Sequence, residues 1–332
     1  NPDDSPLSAD ALVAALEGRD VLVCSITDRI DADLVSRLPP GVKLIAQFGN
    51  GFDNINIEAA HQAGITVTNT PSVLSEDTAD MAMALMLSVP RRLIEGSQIL
   101  LDDGTWSGWS PTWMLGRRLR GKTLGIVGMG RIGTAVATRA RSLGLNIQYF
   151  SRHRRPPQVE EPLEALYRPR LDEMLADVDI VSLHTPLTRD TVRILDATQL
   201  SRMKPEAFVV NVSRSELIDE PALIERIENG QIAGAALDVF SSASGAVDPR
   251  LLALARQHKV LLTGPARVGM LYDGGEVAFS VKPAETDKPA GFRVRALHAP
   301  EACTHAFPDN AERPARPDGN RSPRRPGRRE GR

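Results

Sequence analysis

Thr123-Leu124-Gly125-Ile126-Val127-Gly128-Met129-Gly130-Arg131-Ile132-Gly133 decides the fold of this 332-residue chain. The first five residues read as a short buried strand. A Gly-x-Gly-x-x-Gly turn follows, and 134–143 reads as a helix that stops at Gly144. This is the strand, turn and helix of a dinucleotide-binding unit. Gly128 permits the tight turn, Gly130 lets a pyrophosphate approach the backbone, and Gly133 lets helix and strand pack closely. Arg131 and Ile132 belong to the same expected cradle, at a helix N-terminus whose N–H groups and dipole favour phosphate. A bare glycine turn is the alternative. A second strand at 146–150 argues against it.

Outward from this unit the pattern repeats. Stretches 11–16, 31–38 and 57–63 read as helices, and 21–26, 42–48 and 65–69 as strands. Such alternation predicts a parallel sheet covered on both faces. Residues 69–72, Asn-Thr-Pro-Ser, break it and form a candidate hinge. A long helix is then expected, capped by Ser75, running to Leu101 and kinked at Pro90. All three tryptophans, Trp106, Trp109 and Trp113, fall in a loop of Gly, Ser, Thr and Pro. They pack either on their own domain or on a second subunit.

Beyond the glycine turn, strands are expected at 180–184, 208–212, 235–239 and 260–262, with helices at 171–175, 198–202 and 221–228. Asn229-Gly230 ends the last of these helices. The organisation is therefore α/β: a small domain over 1–72, a doubly wound domain with the dinucleotide-binding unit over 73–264, and a tail over 265–332. Residues 281–332 hold eight Pro and ten Arg with no sustained period, which reads as disorder. A basic tail could alternatively hold nucleic acid without specificity.

Composition sets further limits. The chain is 42% hydrophobic and 25% charged, with a formal charge of −2, so neither nucleic acid nor a membrane is expected as a partner of the whole chain. Cys24 and Cys303 are too few for a disulfide framework, and a reducing cytoplasm fits. The apolar run 81–87 is too short to span a bilayer. The start at Asn1 rather than Met suggests a missing natural N-terminus.

An NAD enzyme usually carries Asp or Glu at the end of the second strand, where it accepts hydrogen bonds from the adenosine ribose. Here that place reads Ser151-Arg152-His153-Arg154-Arg155, and no acid appears until Glu160. Guanidinium groups attract a 2′-phosphate that a carboxylate would repel, so NADP(H) is expected over NAD(H). A merely solvated basic loop is the alternative.

Several segments together resemble one family, the D-isomer-specific 2-hydroxyacid dehydrogenases, and within it the glyoxylate and hydroxypyruvate reductases. They are Gln47-Phe48-Gly49-Asn50-Gly51-Phe52-Asp53-Asn54-Ile55, Gly64-Ile65-Thr66-Val67-Thr68-Asn69-Thr70-Pro71, Thr78-Ala79-Asp80 and the glycine turn. His184-Thr185-Pro186-Leu187-Thr188, Asn211-Val212-Ser213-Arg214 and Ala236-Leu237-Asp238-Val239-Phe240 complete the set. They cover about residues 1–262. The resemblance implies two domains, a smaller flavodoxin-like one that is incomplete here and a Rossmann-type one, with substrate and cofactor in the cleft between them. It implies reduction of a small 2-keto acid to the D-2-hydroxy acid, and a homodimer in which a segment matching 109–116 reaches towards the partner, so an interface including 106–113 is expected. It also implies Arg214 as the cation that holds carboxylate and carbonyl, and backbone N–H groups around Asn50 and Gly51 for the carboxylate. Thr78, His184, Thr185, Pro186, Thr191, Val212 and Ser213 join the cofactor contacts, and Asp238 orients the carboxamide.

Two of the family's residues are missing. Its general acid is a His supported by a Glu. The Glu position falls in Ser241-Ser242-Ala243-Ser244-Gly245, and Leu261-Leu262 is followed by Thr263-Gly264-Pro265-Ala266 rather than by the His segment. His258 lies at the wrong end of the last strand, and His61, His153 and His184 form no metal-ligand cluster. Activity is therefore in doubt. The alternatives are an inactive nucleotide-binding protein and a frame-shifted, truncated product, because the residues after 262 have the composition of an out-of-frame GC-rich gene.

Overall fold

The computed structural model describes residues 7–71, 73–104, 108–241 and 246–263, and the backbone of 277–281 and 291–294. The chain opens with α1 (Ala9–Ala15), β1 (Val21–Ser25), α2 (Ala32–Arg37), β2 (Leu44–Phe48), α3 (Ile57–Gln62) and β3 (Thr66–Asn69). Helix starts follow local chemistry. The Asp31 carboxylate accepts the Leu34 N–H at 3.0 Å, and the Asn56 side chain accepts the Ala59 N–H at 2.9 Å. β1, β2 and β3 pair in parallel in that order.

This first sheet is covered unevenly. Side chains of all three helices join one cluster with Leu22, Cys24 and Ile45. Along β1 burial alternates: Leu22 is 4% exposed and Val23 is 64% exposed. The side that bears Val21 and Val23 is open at the β1 edge, whereas on β2 and β3 the same face holds buried Ala46 and Thr68.

Next come α4 (Ser75–Ser88) and α5 (Leu93–Asp103). The single kinked helix is in fact two. Pro90 has no N–H for the helix ladder, and Arg92 turns into the left-handed region at φ 55°. Ser75 is not the cap either. Leu74 holds that position with no side-chain cap, and the Thr78 hydroxyl instead donates to the Leu74 carbonyl at 2.7 Å.

β4 (Thr123–Val127), α6 (Arg131–Ser142), β5 (Asn146–Phe150), α7 (Pro157–Leu163), β6 (Leu166–Tyr167), α8 (Leu171–Asp177) and β7 (Ile180–Leu183) follow. Then come α9 (Ala197–Leu200), β8 (Phe208–Asn211), α10 (Glu220–Glu228), β9 (Gly234–Leu237), α11 (Pro249–Arg256) and β10 (Val260–Leu262). The strands form one parallel sheet in the order β10-β9-β8-β7-β4-β5-β6. Every residue of β7, β8 and β9 is buried, as doubly covered strands require. Two large apolar clusters flank this sheet. Arg139 of α6 reaches Glu76 and Asp80 of α4, each at 2.7 Å, and pins that helix to the nucleotide unit. Asn229 caps α10 before Gly230 at φ 68°, as expected.

Within the segment expected as a tail, the backbone of two short strands is described. β11 (Val277–Val281) pairs antiparallel with β3, and β12 (Gly291–Val294) with β11, which extends the first sheet to five strands. β3 would otherwise leave a row of unpaired N–H and C=O groups, which β11 takes up. The rest of 264–332 lies outside the described residues, and with it the frame-shift expectation. No helix of the described residues is long and apolar enough to cross a membrane.

Candidate functional site

The candidate residues gather where parallel strands end. Gly128 follows β4, Ser151 follows β5, and His184 follows β7. Val212, Ser213 and Arg214 follow β8, and Asp238 follows β9. On the first sheet, 49–54 follow β2 and Thr70 follows β3. The sequence order of the large sheet reverses between β7 and β4, and ligands of open α/β sheets bind in that crevice.

The glycine turn is shaped for a dinucleotide. Gly128 has φ 98°, and a Cβ there would meet the His184 carbonyl oxygen at 2.7 Å. A Cβ on Gly133 would overlap the Gly128 carbonyl oxygen, so helix and strand need both glycines. Gly130 has no atom within 4 Å of its would-be Cβ, which leaves space over the backbone. It caps α6 without a side chain, so the first N–H groups, at Arg131 and Ile132, stay open. The Met129 N–H donates to the Ser151 hydroxyl at 2.8 Å, and the Gly128 N–H to the Phe150 carbonyl at 2.9 Å. An open concavity of N–H groups at a helix start fits a pyrophosphate.

The basic stretch after β5 divides into two kinds of residue. Arg154 grips the buried Glu160 carboxylate, with Nη2 at 2.8 Å and Nε at 3.0 Å, and holds it below the usual carboxylate range. The Tyr149 hydroxyl donates to the same group and accepts the Arg155 N–H at 2.7 Å. Burial, then Glu160, push the Tyr149 phenol up to about 12. Glu160, the first acid after the glycine turn, is thus committed to its own loop. Arg152 is exposed and has no ion-pair partner among the described residues.

At the end of β7, His184 is buried, with Nε2 2.8 Å from the Ser182 hydroxyl. Burial pushes it down to about 3, so it is neutral. Thr185 lies against Gly128. The Thr191 hydroxyl donates to the Pro186 carbonyl and accepts the Thr188 N–H, both at 2.7 Å, and so closes the loop on itself. The Asp238 N–H donates to the Asn211 carbonyl at 2.9 Å, and its carboxylate accepts the Thr263 hydroxyl at 2.7 Å.

Arg214 is held with care. The Asn211 side chain donates to the Arg214 carbonyl at 2.8 Å and accepts the Ser213 N–H at 3.0 Å. The Ser213 hydroxyl donates to the Leu183 carbonyl at 2.8 Å, beside buried Val212. The guanidinium crosses to the loop after β2. Nε lies 3.0 Å and Nη2 2.9 Å from Asp53 carboxylate oxygens, and Nη1 donates to the Ser213 carbonyl at 2.8 Å. Burial alone would raise Asp53, but the Arg214 hydrogen bonds and charge outweigh it and leave the carboxyl below its ordinary value.

The loop beneath the guanidinium is fixed from behind. Gln47 Nε2 donates to the Gly51 carbonyl at 3.1 Å, and Asn69 Nδ2 to the Asn50 carbonyl at 2.7 Å. The Gly49 N–H donates to the Thr70 hydroxyl at 3.0 Å. Asn54 Nδ2 ties the loop to the Ser25 and Asp28 carbonyls at 2.9 and 2.8 Å. The N–H groups of Asn50 and Gly51 have no hydrogen-bond partner among the described residues. Sequence reasoning singled out Arg214, Asn50 and Gly51. It missed Asp53 and the holders Gln47, Asn54 and Asn69, although all stand in the segments that carry the resemblance.

Among the described residues, no histidine reaches this cluster from the last strand. His258 precedes β10, at the end of the sheet opposite the site. Residues 242–245 and 264–276, where the family's Glu and His are expected, lie outside the described residues apart from Ser241 and Thr263. No metal-holding group of His, Cys, Asp or Glu occurs among the described residues. Trp109 and Trp113 are exposed, Trp109 at 78%, and Trp106 lies outside the described residues.

Comparison with known proteins agrees with the geometry. Residues 83–264 match the D-isomer specific 2-hydroxyacid dehydrogenase NAD-binding domain. A glyoxylate reductase of Thermococcus litoralis is 46% identical over 225 residues, 67% of each chain. One of Korarchaeum cryptofilum is 43% identical over 253 residues, 76% of this chain and 75% of its own. Among solved structures, a glyoxylate reductase of Paecilomyes thermophila superposes with a TM-score of 0.69 at 35% identity, covering 80% of this chain and 78% of its own.

Proposed function

Because the chain belongs to the D-isomer-specific 2-hydroxyacid dehydrogenases, with an NAD-binding domain of that family, we propose that it reduces glyoxylate or hydroxypyruvate and prefers NADPH. One observation carries this reading. Arg214 stands over the open N–H groups of Asn50 and Gly51, at the strand ends that also present the glycine turn. A bound dihydronicotinamide would supply the hydride. The turn 128–133, with Thr78, His184, Thr185, Pro186, Val212 and Ser213, would hold and orient it, and Asp238 would face its carboxamide. Thr191 would act indirectly, through the loop it closes. Arg214 would bind the substrate carboxylate and carbonyl and stabilise the developing alkoxide, while the loop N–H groups fix the carboxylate. The neutral His184 and the low Asp53 are not proton donors at neutral pH.

Loss of a general acid costs ~10²–10⁴-fold in rate. The reduction is therefore slow in this chain. Ser241 and Thr263, which stand where the acid's surroundings are expected, favour a second reading: cofactor binding without turnover. The exposed Trp109 and Trp113 support a homodimer through 106–113, and the buried, unpaired Cys24 suits a reducing cytoplasm.

Absorbance of NADPH and of NADH, followed with glyoxylate and with hydroxypyruvate, tests the proposal. Slow oxidation faster with NADPH, abolished by Arg214→Ala, is expected. Arg152→Asp is expected to move the preference about tenfold towards NADH. Oxidation that ignores Arg214 would sink the reading of the site. Equal rates with both cofactors would sink the reading of Arg152.

A further inference from the structure

We propose that Asp53 is the positioning residue of the substrate cation, holding one edge of Arg214 so that its other edge faces the anion-binding loop. This rests on the reading of Arg214 as the group that binds the 2-keto acid. A guanidinium has two edges that grip a carboxylate in a fork, Nε with Nη2 and Nη1 with Nη2. Asp53 takes the first edge, at 3.0 Å from Nε and 2.9 Å from Nη2. The Ser213 carbonyl takes one Nη1 hydrogen at 2.8 Å. The second hydrogens of Nη1 and Nη2 have no partner among the described residues.

What that remaining edge meets is set by Gly51. A Cβ on Gly51 would overlap Arg214 Nη2, so the guanidinium lies directly on the loop whose N–H groups at Asn50 and Gly51 are open. One planar carboxylate can then take N–H donors from the guanidinium end and from the loop together. Without Asp53 the long Arg214 side chain keeps only the Ser213 contact and regains its rotamer freedom. Asp53 is itself fixed, because its neighbour Asn54 is tied to the Ser25 and Asp28 carbonyls. It belongs to the loop after β2, and Arg214 to the turn after β8, so the pair also joins the two sheets across the cleft. A cavity of about 760 Å³ borders Asp53 and reaches Arg189 of the loop after β7, so this acid stands at the wall of an open space.

A carboxylate beside the substrate's own cation would ordinarily count as a competitor. The geometry separates the two roles. A competitor occupies the edge that the substrate needs, whereas Asp53 occupies the other one. Removing a competitor tightens anion binding, and removing a positioner loosens it.

The test measures binding of oxamate, a 2-keto acid mimic, to the NADPH complex of the full chain, so that catalytic rate does not enter. Asp53→Asn keeps the shape of the side chain and removes its charge. It is expected to weaken oxamate about tenfold or more, while NADPH affinity in the same preparation stays at the parent value. Arg214→Lys is expected to weaken oxamate at least as much, since an ammonium has no fork. The double variant is expected to be no weaker than Arg214→Lys, because Asp53 acts through the guanidinium. Asp53→Glu, which restores the charge one methylene away, should recover part of the loss. Oxamate bound by Asp53→Asn as tightly as by the parent, or more tightly, would overturn the role given to Asp53. So would losses that multiply in the double variant, or no recovery with Asp53→Glu. If Arg214→Lys alone binds oxamate like the parent, or the parent binds none, the reading of Arg214 fails instead, and the role of Asp53 with it.

Discussion

The two sheets of this chain are built from the same alternation of strand and helix, yet they are finished differently. In the seven-stranded sheet, helices lie on both faces, and the central strands are buried along their whole length. In the first sheet, α1, α2 and α3 share one cluster with the strands, and β1 presents Val21 and Val23 outward from an edge position. The difference divides the labour of the site. The cofactor half is supported by packing on two sides. The first sheet, which carries the loop proposed for the substrate, has a smaller main core and polar ties such as Gln47, Asn54 and Asn69 behind that loop. Local stability follows buried apolar contact, so the first sheet is expected to open at lower cost.

The largest effect that sharpens this contrast comes from one substitution in each sheet. Leu124 of β4 is fully buried, and Leu124→Ala should cost roughly 2–5 kcal/mol in urea unfolding. Val23→Lys, on the open face, should stay within about 0.5 kcal/mol of the parent. A Val23→Lys cost comparable to that of Leu124→Ala would break the contrast, because it would mean that a second copy or residues outside those described cover this face in solution.

A smaller effect separates packing from ligand binding inside the covered half. Gly130 has open space at its Cβ position, whereas Gly133 does not. Gly130→Ala should therefore change stability by less than about 1 kcal/mol, the scale of a helix-cap change. It should still weaken NADPH at least about tenfold, because the methyl group stands where the pyrophosphate approaches. Fluorescence titration against thermal melting reads both. Unchanged NADPH affinity would remove Gly130 from the phosphate site.

Most of the larger sheet was legible because its signals are local. Thr123 to Gly133 states strand, turn and helix in one run, and Asn229-Gly230 states a helix end. What escaped includes some local starts as well as contacts between residues distant in sequence. α11 was missed although Asp248 caps it and Pro249 opens it, a start signal that lies beside a stretch poor in other cues. α7 was not anticipated; Pro157 opens it at the first helical position, where a Pro is compatible with a helix, and Pro162 lies within it. The one-sided cover of β1 could not be read, since β1 is apolar on both faces and only the placement of α1–α3 decides which is open. Within the site, Arg214 and the glycine loop came from resemblance. The Asp53 contact joins residues 161 apart and no local pattern announces it.

The smallest effect concerns Glu220, an acid that works against the well-covered sheet in which it sits. It occupies the first turn of α10, where a helix N-terminus favours a negative charge. Its carboxylate accepts the Ser241 N–H at 2.9 Å. Burial nevertheless dominates and, with Asp248 nearby, raises the carboxyl above its ordinary range. The folded chain then holds a proton here at a pH where the unfolded chain has released it. Stability from this group is full below the ordinary Glu value and is lost as pH rises through the raised one. Glu220→Gln keeps an oxygen for the Ser241 N–H and removes the charge. It should therefore melt slightly higher than the parent at about pH 7–8, by under about 1 kcal/mol, and the gain should vanish near pH 4, where the parent is protonated in both states. A Glu220→Gln protein that is less stable than the parent at neutral pH would show that the helix N-terminus and the Ser241 contact, not burial, govern this acid.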